Sequence, residues 1–188
     1  FWIYFLLGMG VLSLVFGNIW HKVNPWKFMS DYINEQEPSR MVSGIVGTVL
    51  LLCLFWLELV SGNSFVPRII SMSLVVYTLV NIIASLFYKN WYTDGELFSV
   101  LFGFIGNLAH FKFGSDNKSI IVINGNKKLA GTPLRWWTLG TASILLAGAS
   151  FDSLKETVMW FQWTKVFGLS GVDALSGTIG LLLAPLPF

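Results

Sequence analysis

The chain has 188 residues, 54% apolar, 16% aromatic and only 12% charged, with a mean hydropathy of +0.66 and a net charge of +2. Such a composition excludes an ordinary soluble domain, points to an all-α, polytopic transmembrane helix bundle, and gives no electrostatic reason to bind nucleic acid. The single cysteine, Cys53, lies in an apolar run, which excludes both a disulfide framework and a paired-cysteine metal site.

A helix needs about 20 residues to cross the hydrocarbon layer, because every backbone polar group must be satisfied without water. The first such run is Phe1 to Trp20, which carries no charge. It gives way abruptly to "HKVNPWKF". There Trp20 and Trp26 suit a headgroup belt, Lys22 and Lys27 suit the cytoplasmic leaflet, and Pro25 prevents a helix from continuing past Asn24. Met41 to Val60 is the second span, with Glu58 near its outer end, and Ile69 to Phe87 is the third.

The next segment, "TDGELFSVLFGFIGNLAHF", predicts a short helix over 94–111. Phe98, Leu101, Phe102, Ile105 and Leu108 share one face, and Ser99, Gly103, Gly106 and His110 share another. Thr93 suits a cap with Glu96 reaching back, and Tyr92 suits a staple onto Leu97. The helix is short for a crossing. If it does not cross, nine of the twelve Lys and Arg residues fall on one side; if it does, they divide evenly. The positive-inside rule therefore favours a re-entrant or interfacial helix with the nine-cation side cytoplasmic.

The following loop carries Lys112, Lys118, Lys127, Lys128 and Arg135, which suit an inner face near anionic lipid. Its β-like run Ser119 to Ile123, followed by Asn124 and Gly125, predicts a small cytoplasmic hairpin. Trp136 to Phe151 forms a fourth span. Beyond it, Ser153 and Glu156 form a capping-box pattern for an interfacial helix holding Trp160 and Trp163. The last apolar stretch, Val166 to Phe188, is interrupted by Gly168, Gly171, Asp173, Gly177 and two prolines, which suits a discontinuous helix. The start at Phe1 and the apolar end at Phe188 predict a fragment of a longer chain.

Small residues four apart, including Ser13 with Gly17, Ser43 with Gly47 and Gly44 with Thr48, let helix backbones approach. With Gly103 and Gly106 they are the candidate packing positions, within this chain or against another subunit. Ionisable groups near membrane depth are the candidates for chemistry. Glu58, Asp152 and Arg68 share the inferred outer side as a candidate catalytic group, and Glu58, Asp152 and Asp173 are the candidate metal ligands. His21 and His110 do not form a ligand pair by spacing. Nucleotide, hydrolase and protease signatures are absent, and no residue set names a cofactor.

The blocks "GNIWHKVNPWKF", "FWLELV", "WYTDGELFSVLFGFIGNLAHF" and "SFDSLKETVMW" resemble an uncharacterised family of multi-pass membrane proteins of archaea and actinobacteria, often labelled fenitrothion hydrolase. The resemblance runs in scattered blocks over roughly residues 10–165. It rests on Asn24, Pro25 and Trp26, on Glu58, on Gly95, Glu96 and Phe98, and on Phe151 and Asp152; Lys27 stands where the family has Arg, and Ser153 where it has Gly. It implies a longer multi-pass protein. Together these readings predict an integral membrane protein of the cell membrane, first a non-catalytic subunit or scaffold of a larger complex, such as an oxidase or monooxygenase assembly. A membrane hydrolase or metal-dependent enzyme with an outward acidic site is the alternative, and a transporter a further one. Its partners are the lipid bilayer and other membrane-protein subunits.

Overall fold

Apolar runs that must satisfy their own backbone hydrogen bonds fold as helices. In the computed structural model, which describes residues 3–30, 40–62, 66–88, 91–109, 111–113, 120–122, 136–170 and 173–186, the chain is helical almost throughout. A π-helical turn, Ile3–Leu7, leads into α1 (Gly8–Phe16); α2 (Trp20–Val23), α3 (Pro25–Ser30), α4 (Arg40–Leu59) and α5 (Pro67–Phe87) follow. A second π-helical turn, Trp91–Gly95, precedes α6 (Leu97–Gly106); α7 (Trp136–Lys155), α8 (Val158–Val166) and α9 (Ala174–Leu183) complete the helices described.

Between α6 and α7, β1 (Phe111–Phe113) pairs antiparallel with β2 (Ile120–Val122), Phe111 opposite Val122 and Phe113 opposite Ile120. The sequence pattern predicts a strand at 119–123, and the strand forms there with a partner that precedes it. Asn124 and Gly125 lie outside the described residues, as does His110.

The first apolar run does not continue as a helix to Trp20. It ends at Phe16, and Gly17, at φ 85°, turns the chain while its N–H bonds the Ser13 carbonyl at 2.9 Å. A left-handed conformation there suits glycine. The reversal returns the Trp20 ring to 5.6 Å from the Phe5 ring, edge to face. Pro25 opens α3 at its first position, where a missing N–H costs nothing.

Two further boundaries differ from the sequence pattern. α7 runs on to Lys155, four residues past the expected end, so Ser153 bonds back to the Ala149 carbonyl at 3.4 Å and does not cap a new helix. Thr157 caps α8 instead, accepting from the Trp160 N–H. Val166 closes α8, and helix resumes only at Ala174, so 166–188 contains no continuous span.

α4 and α7 lie side by side and parallel. Going up the pair, Gly44 meets the Trp137 ring, Thr48 Oγ1 lies 3.1 Å from Thr141 Oγ1, Gly148 meets the Phe55 ring, and Lys155 Nζ reaches the Leu59 carbonyl at 3.4 Å. Small residues and paired hydroxyls at a helix contact are the arrangement that works where lipid and side chain are equally apolar. α9 closes the upper end: Gly180 faces Phe151 and Trp160, Gly177 faces Val60, and Trp56 Nε1 donates to Thr178 Oγ1 at 2.9 Å.

α6 is wedged between α1 and α4. A Cβ on Gly106 would lie 2.6 Å from the Asn18 backbone nitrogen, one on Gly103 would lie 3.3 Å from Asn18 Nδ2, and one on Gly47 would lie 2.6 Å from the Gly95 carbonyl oxygen. The core here is Trp20, Leu51, Leu97, Phe98, Leu101 and Phe102.

α5 is different. Only 11% of its apolar window is buried, and it meets the described chain chiefly at α3 and the Trp91–Gly95 turn. Among the described residues it is the one helix long and apolar enough to cross a membrane. The apolar helices at Tyr4–Phe16, Gly44–Leu59, Leu97–Gly106 and Ala174–Leu183 are shorter.

Gly47→Ala pushes a methyl group into backbone and is expected to cost about 1–3 kcal/mol. Gly8→Ala, whose Cβ meets nothing within 4 Å, is expected to be neutral or stabilising. Thermal unfolding of both variants in detergent checks the contrast; equal melting temperatures would remove Gly47 from the packing scheme.

Candidate functional site

Glu96 is the deepest ionisable side chain described, with none of its surface exposed. The sequence pattern suits Thr93 as the cap of the short helix, with Glu96 reaching back. In the structure Thr93 is an exposed member of the π-helical turn and Glu96 is itself the cap. Its backbone is extended, at φ −72° and ψ 133°, which points the carboxylate along the first turn of α6. Oε1 accepts from the Phe98 N–H at 2.9 Å and Oε2 from the Ser99 N–H at 2.8 Å. These are two donors that a helix start leaves without intrahelical partners.

Three side chains from distant elements complete the shell. Trp20 Nε1 donates to Oε2 at 2.8 Å, Asn24 Nδ2 donates to Oε2 at 3.2 Å, and the Tyr77 hydroxyl donates to Oε1. The Ser99 hydroxyl lies 2.7 Å from both Oε2 and the Tyr92 carbonyl, so its one proton serves one of these acceptors at a time. No Lys or Arg among the described residues pairs with this carboxylate; hydrogen bonds alone compensate its burial.

"NPW" owes its arrangement to this carboxylate. The Asn24 side-chain oxygen accepts from the Trp26 N–H at 2.9 Å and the Lys27 N–H at 3.3 Å, capping α3, which turns the amide nitrogen toward Glu96. Trp26 then packs edge to face on Tyr77 at 5.2 Å and donates through Nε1 to Thr78 Oγ1 at 3.3 Å. Trp20 is 5% exposed and lies against Phe98 at 5.4 Å. Its indole therefore serves the protein interior and not a headgroup belt. Lys27 Nζ lies 2.8 Å from His21 Nε2. One level further along α5, Asn81 Oδ1 accepts from Trp91 Nε1 at 2.8 Å, and the Asn81 carbonyl accepts from the Tyr92 hydroxyl at 3.2 Å.

The outer candidates gather only in part. Asp152 pairs with Lys155 at 3.2 Å, and both act electrostatically on Glu58 from the neighbouring helix. Arg68 is exposed in the first turn of α5 and is not among the groups acting on Glu58. Asp173 accepts from the Ser170 N–H at 3.2 Å, so it closes a local turn before α9. Among the described residues no three His, Cys, Asp or Glu side chains gather to hold a metal ion, and Glu58, Asp152 and Asp173 form no such set. Trp160 is buried against Phe151 at 5.4 Å, whereas Trp163 is 64% exposed.

Sequence reasoning missed the Glu96 shell because its donors lie 72 and 76 residues away in the chain. The available signal was a glutamate directly before an apolar helix, together with unexplained polar residues, Tyr77 and Asn81, inside a long apolar span. Comparison with protein-family models, curated proteins and solved structures finds no match.

Glu96→Ala strands the buried donors of Trp20, Asn24 and Tyr77 and is expected to cost at least about 3 kcal/mol. Tyr77→Phe removes one bond to the carboxylate and is expected to cost about 1.5–3 kcal/mol. Their double mutant should fall short of the sum, because the two share one interaction. Denaturation in detergent measures all three; additive losses would mean that Tyr77 and Glu96 are uncoupled.

Proposed function

We propose that the chain is a multi-pass protein of the cell membrane, acting as a non-catalytic subunit or scaffold of a larger membrane assembly. The observation that carries this reading is the saturated shell around Glu96. Tyr77 is the central residue of α5, about 15 Å from either end at a rise of about 1.5 Å per residue. If α5 crosses the bilayer, the carboxylate beside Tyr77 lies near half-depth, where a charge costs about 2.5–3.5 kcal/mol on insertion scales. Groups at that depth are presumed functional until their partners are accounted for. Here both oxygens are occupied by structural donors, which leaves no acceptor for a substrate or a metal. The acid closes a joint.

The parallel course of α4 and α7 supports the multi-pass topology. If α4 crosses outward and α5 returns, a second outward crossing by α7 requires 88–135 to enter and leave on one face. A short helix that re-enters without crossing meets that requirement, and it agrees with the charge asymmetry of the loops. Irregular backbone at membrane depth is tolerated where protein covers it, and the Trp91–Gly95 turn lies against α4 with Trp91 and Tyr92 buried. Kinship with the family often labelled fenitrothion hydrolase belongs to the same proposal. Its support is that Asn24, Trp26, Glu96 and Phe98, from two separate resembling blocks, meet in one network.

An outward-facing hydrolase is the second reading, favoured by the approach of Asp152 and Lys155 to Glu58. Under the scaffold reading, Glu58→Gln and Asp152→Asn leave assembly and any associated activity unchanged, while Glu96→Ala disrupts assembly. The comparison is made by sizing the complex extracted in mild detergent and assaying its hydrolytic activity. A solitary monomer that loses hydrolytic activity with Glu58→Gln would reverse the preference. Membrane integration is tested separately by alkaline carbonate extraction, with the protein expected in the pellet; release into the supernatant would end the membrane reading.

A further inference from the structure

α8 has three distinct faces, and only one of them is used by the fold. At about 100° per residue, Trp160 and Thr164 fall together and are buried, with Trp160 held between Phe151 and Gly180. This docking, with the Thr157 cap, fixes the rotation of the helix. Met159, Trp163, Val166 and the adjoining Phe167 then occupy about 100° of arc alongside the buried face, all well exposed. Trp163 and Phe167 pack edge to face with centroids 6.1 Å apart. The remaining face carries Gln162 and Lys165, with Val158 in the first turn and Phe161, 37% exposed, at its edge.

An exposed apolar stripe on a helix that also carries a cation and an amide is costly in water, and it mismatches the centre of a bilayer, where Lys165 would be stranded. It fits the headgroup boundary, where an amphipathic helix buries its apolar face about 5–10 Å into the acyl region and Trp prefers to sit. The position along the fold agrees. α8 leaves α7 beside the end of α4, where Lys155 reaches Leu59, and α5, which follows α4 in the chain, exposes the apolar side chains of Met72, Val75 and Val76.

We propose that α8 is a membrane-surface helix, lying in the outer headgroup boundary with Met159, Trp163, Val166 and Phe167 directed into lipid. Its partner is the bilayer surface itself. Trp163 provides the lipid contact, and its neighbour Trp160 locks the helix to the protein. The inference rests on the membrane reading given above, and its test separates the two.

The full chain carrying Cys53→Ser is reconstituted in phospholipid nanodiscs, and single cysteines are introduced at Met159, Gln162, Trp163, Lys165 and Val166, with Val75→Cys on α5 as the reference for lipid. All of these positions except Lys165 and Gln162 are apolar, and none supports the core. Spin labels there report collisions with oxygen, which concentrates in lipid, and with a nickel chelate confined to water. The expected pattern is oxygen access at 159, 163 and 166 and nickel access at 162 and 165. Nickel access at 163 and 166 with oxygen access at 75 overturns the surface helix and leaves the membrane reading standing. Shielding of 163 and 166 from both colliders overturns it in favour of a protein partner on that face. Nickel access at 75 as well defeats both readings.

Discussion

A carboxylate sealed away from water must be compensated, and the compensation of Glu96 organises half of this molecule. No cation is used. Donors are brought from the α1–α3 segment, from the centre of α5 and from the first turn of α6, and each donor orients the element that carries it. Charge-assisted hydrogen bonds are roughly twice as strong as neutral ones and directional, whereas apolar contact discriminates poorly between one greasy helix face and another. Where lipid replaces water as the surrounding solvent, apolar burial also ceases to drive helices together. The polar joint then holds α5, little of which is buried, to the rest.

Packing elsewhere depends on absence of side chain. Gly44, Gly47, Gly148 and Gly180 admit an indole, a backbone carbonyl, a phenyl ring and a ring pair, respectively. Gly47 links this packing to the polar joint, because the carbonyl it admits is that of Gly95, directly before Glu96. α4 thereby supports the turn that presents the carboxylate. A close helix contact and a buried hydrogen-bond shell are two parts of one construction, coupled through a single peptide group.

The two ends of the molecule differ in how they treat charge. At the end of α4 and α7, Asp152, Lys155 and Glu58 interact near solvent, and the lysine also reaches a helix-terminal carbonyl. This favours the C-terminus of a helix, whose carbonyls attract cations. At the joint the carboxylate is buried and met by hydrogen-bond donors from three elements. The acids with open valence for chemistry thus lie near solvent, and the fully buried acid, Glu96, is engaged in structure. That separation is why a structural role for Glu96 and a weak case for catalysis follow from the same set of contacts.

Residue type and order alone determined that the chain is helical and unusually apolar, that a short helix lies within 94–111, that the run Ile69–Phe87 is long enough to cross a bilayer, and that a strand lies within 119–123. These are local matters, set by hydropathy over a turn or two and by backbone chemistry at Gly and Pro. Tertiary structure decided where Trp20, Asn24 and Tyr77 point, and it turned an expected membrane-exit motif into the donor shell of Glu96. It also decided that α7 outruns its capping box, because Phe151 and Lys155 gain contacts with α4 and α9 that a local cap cannot match. The physical reason is range. A periodic pattern reports which faces are greasy, but a buried carboxylate selects its donors by distance in space, and nothing in the order of residues records that Trp20 and Glu96 will lie within a hydrogen bond of one another.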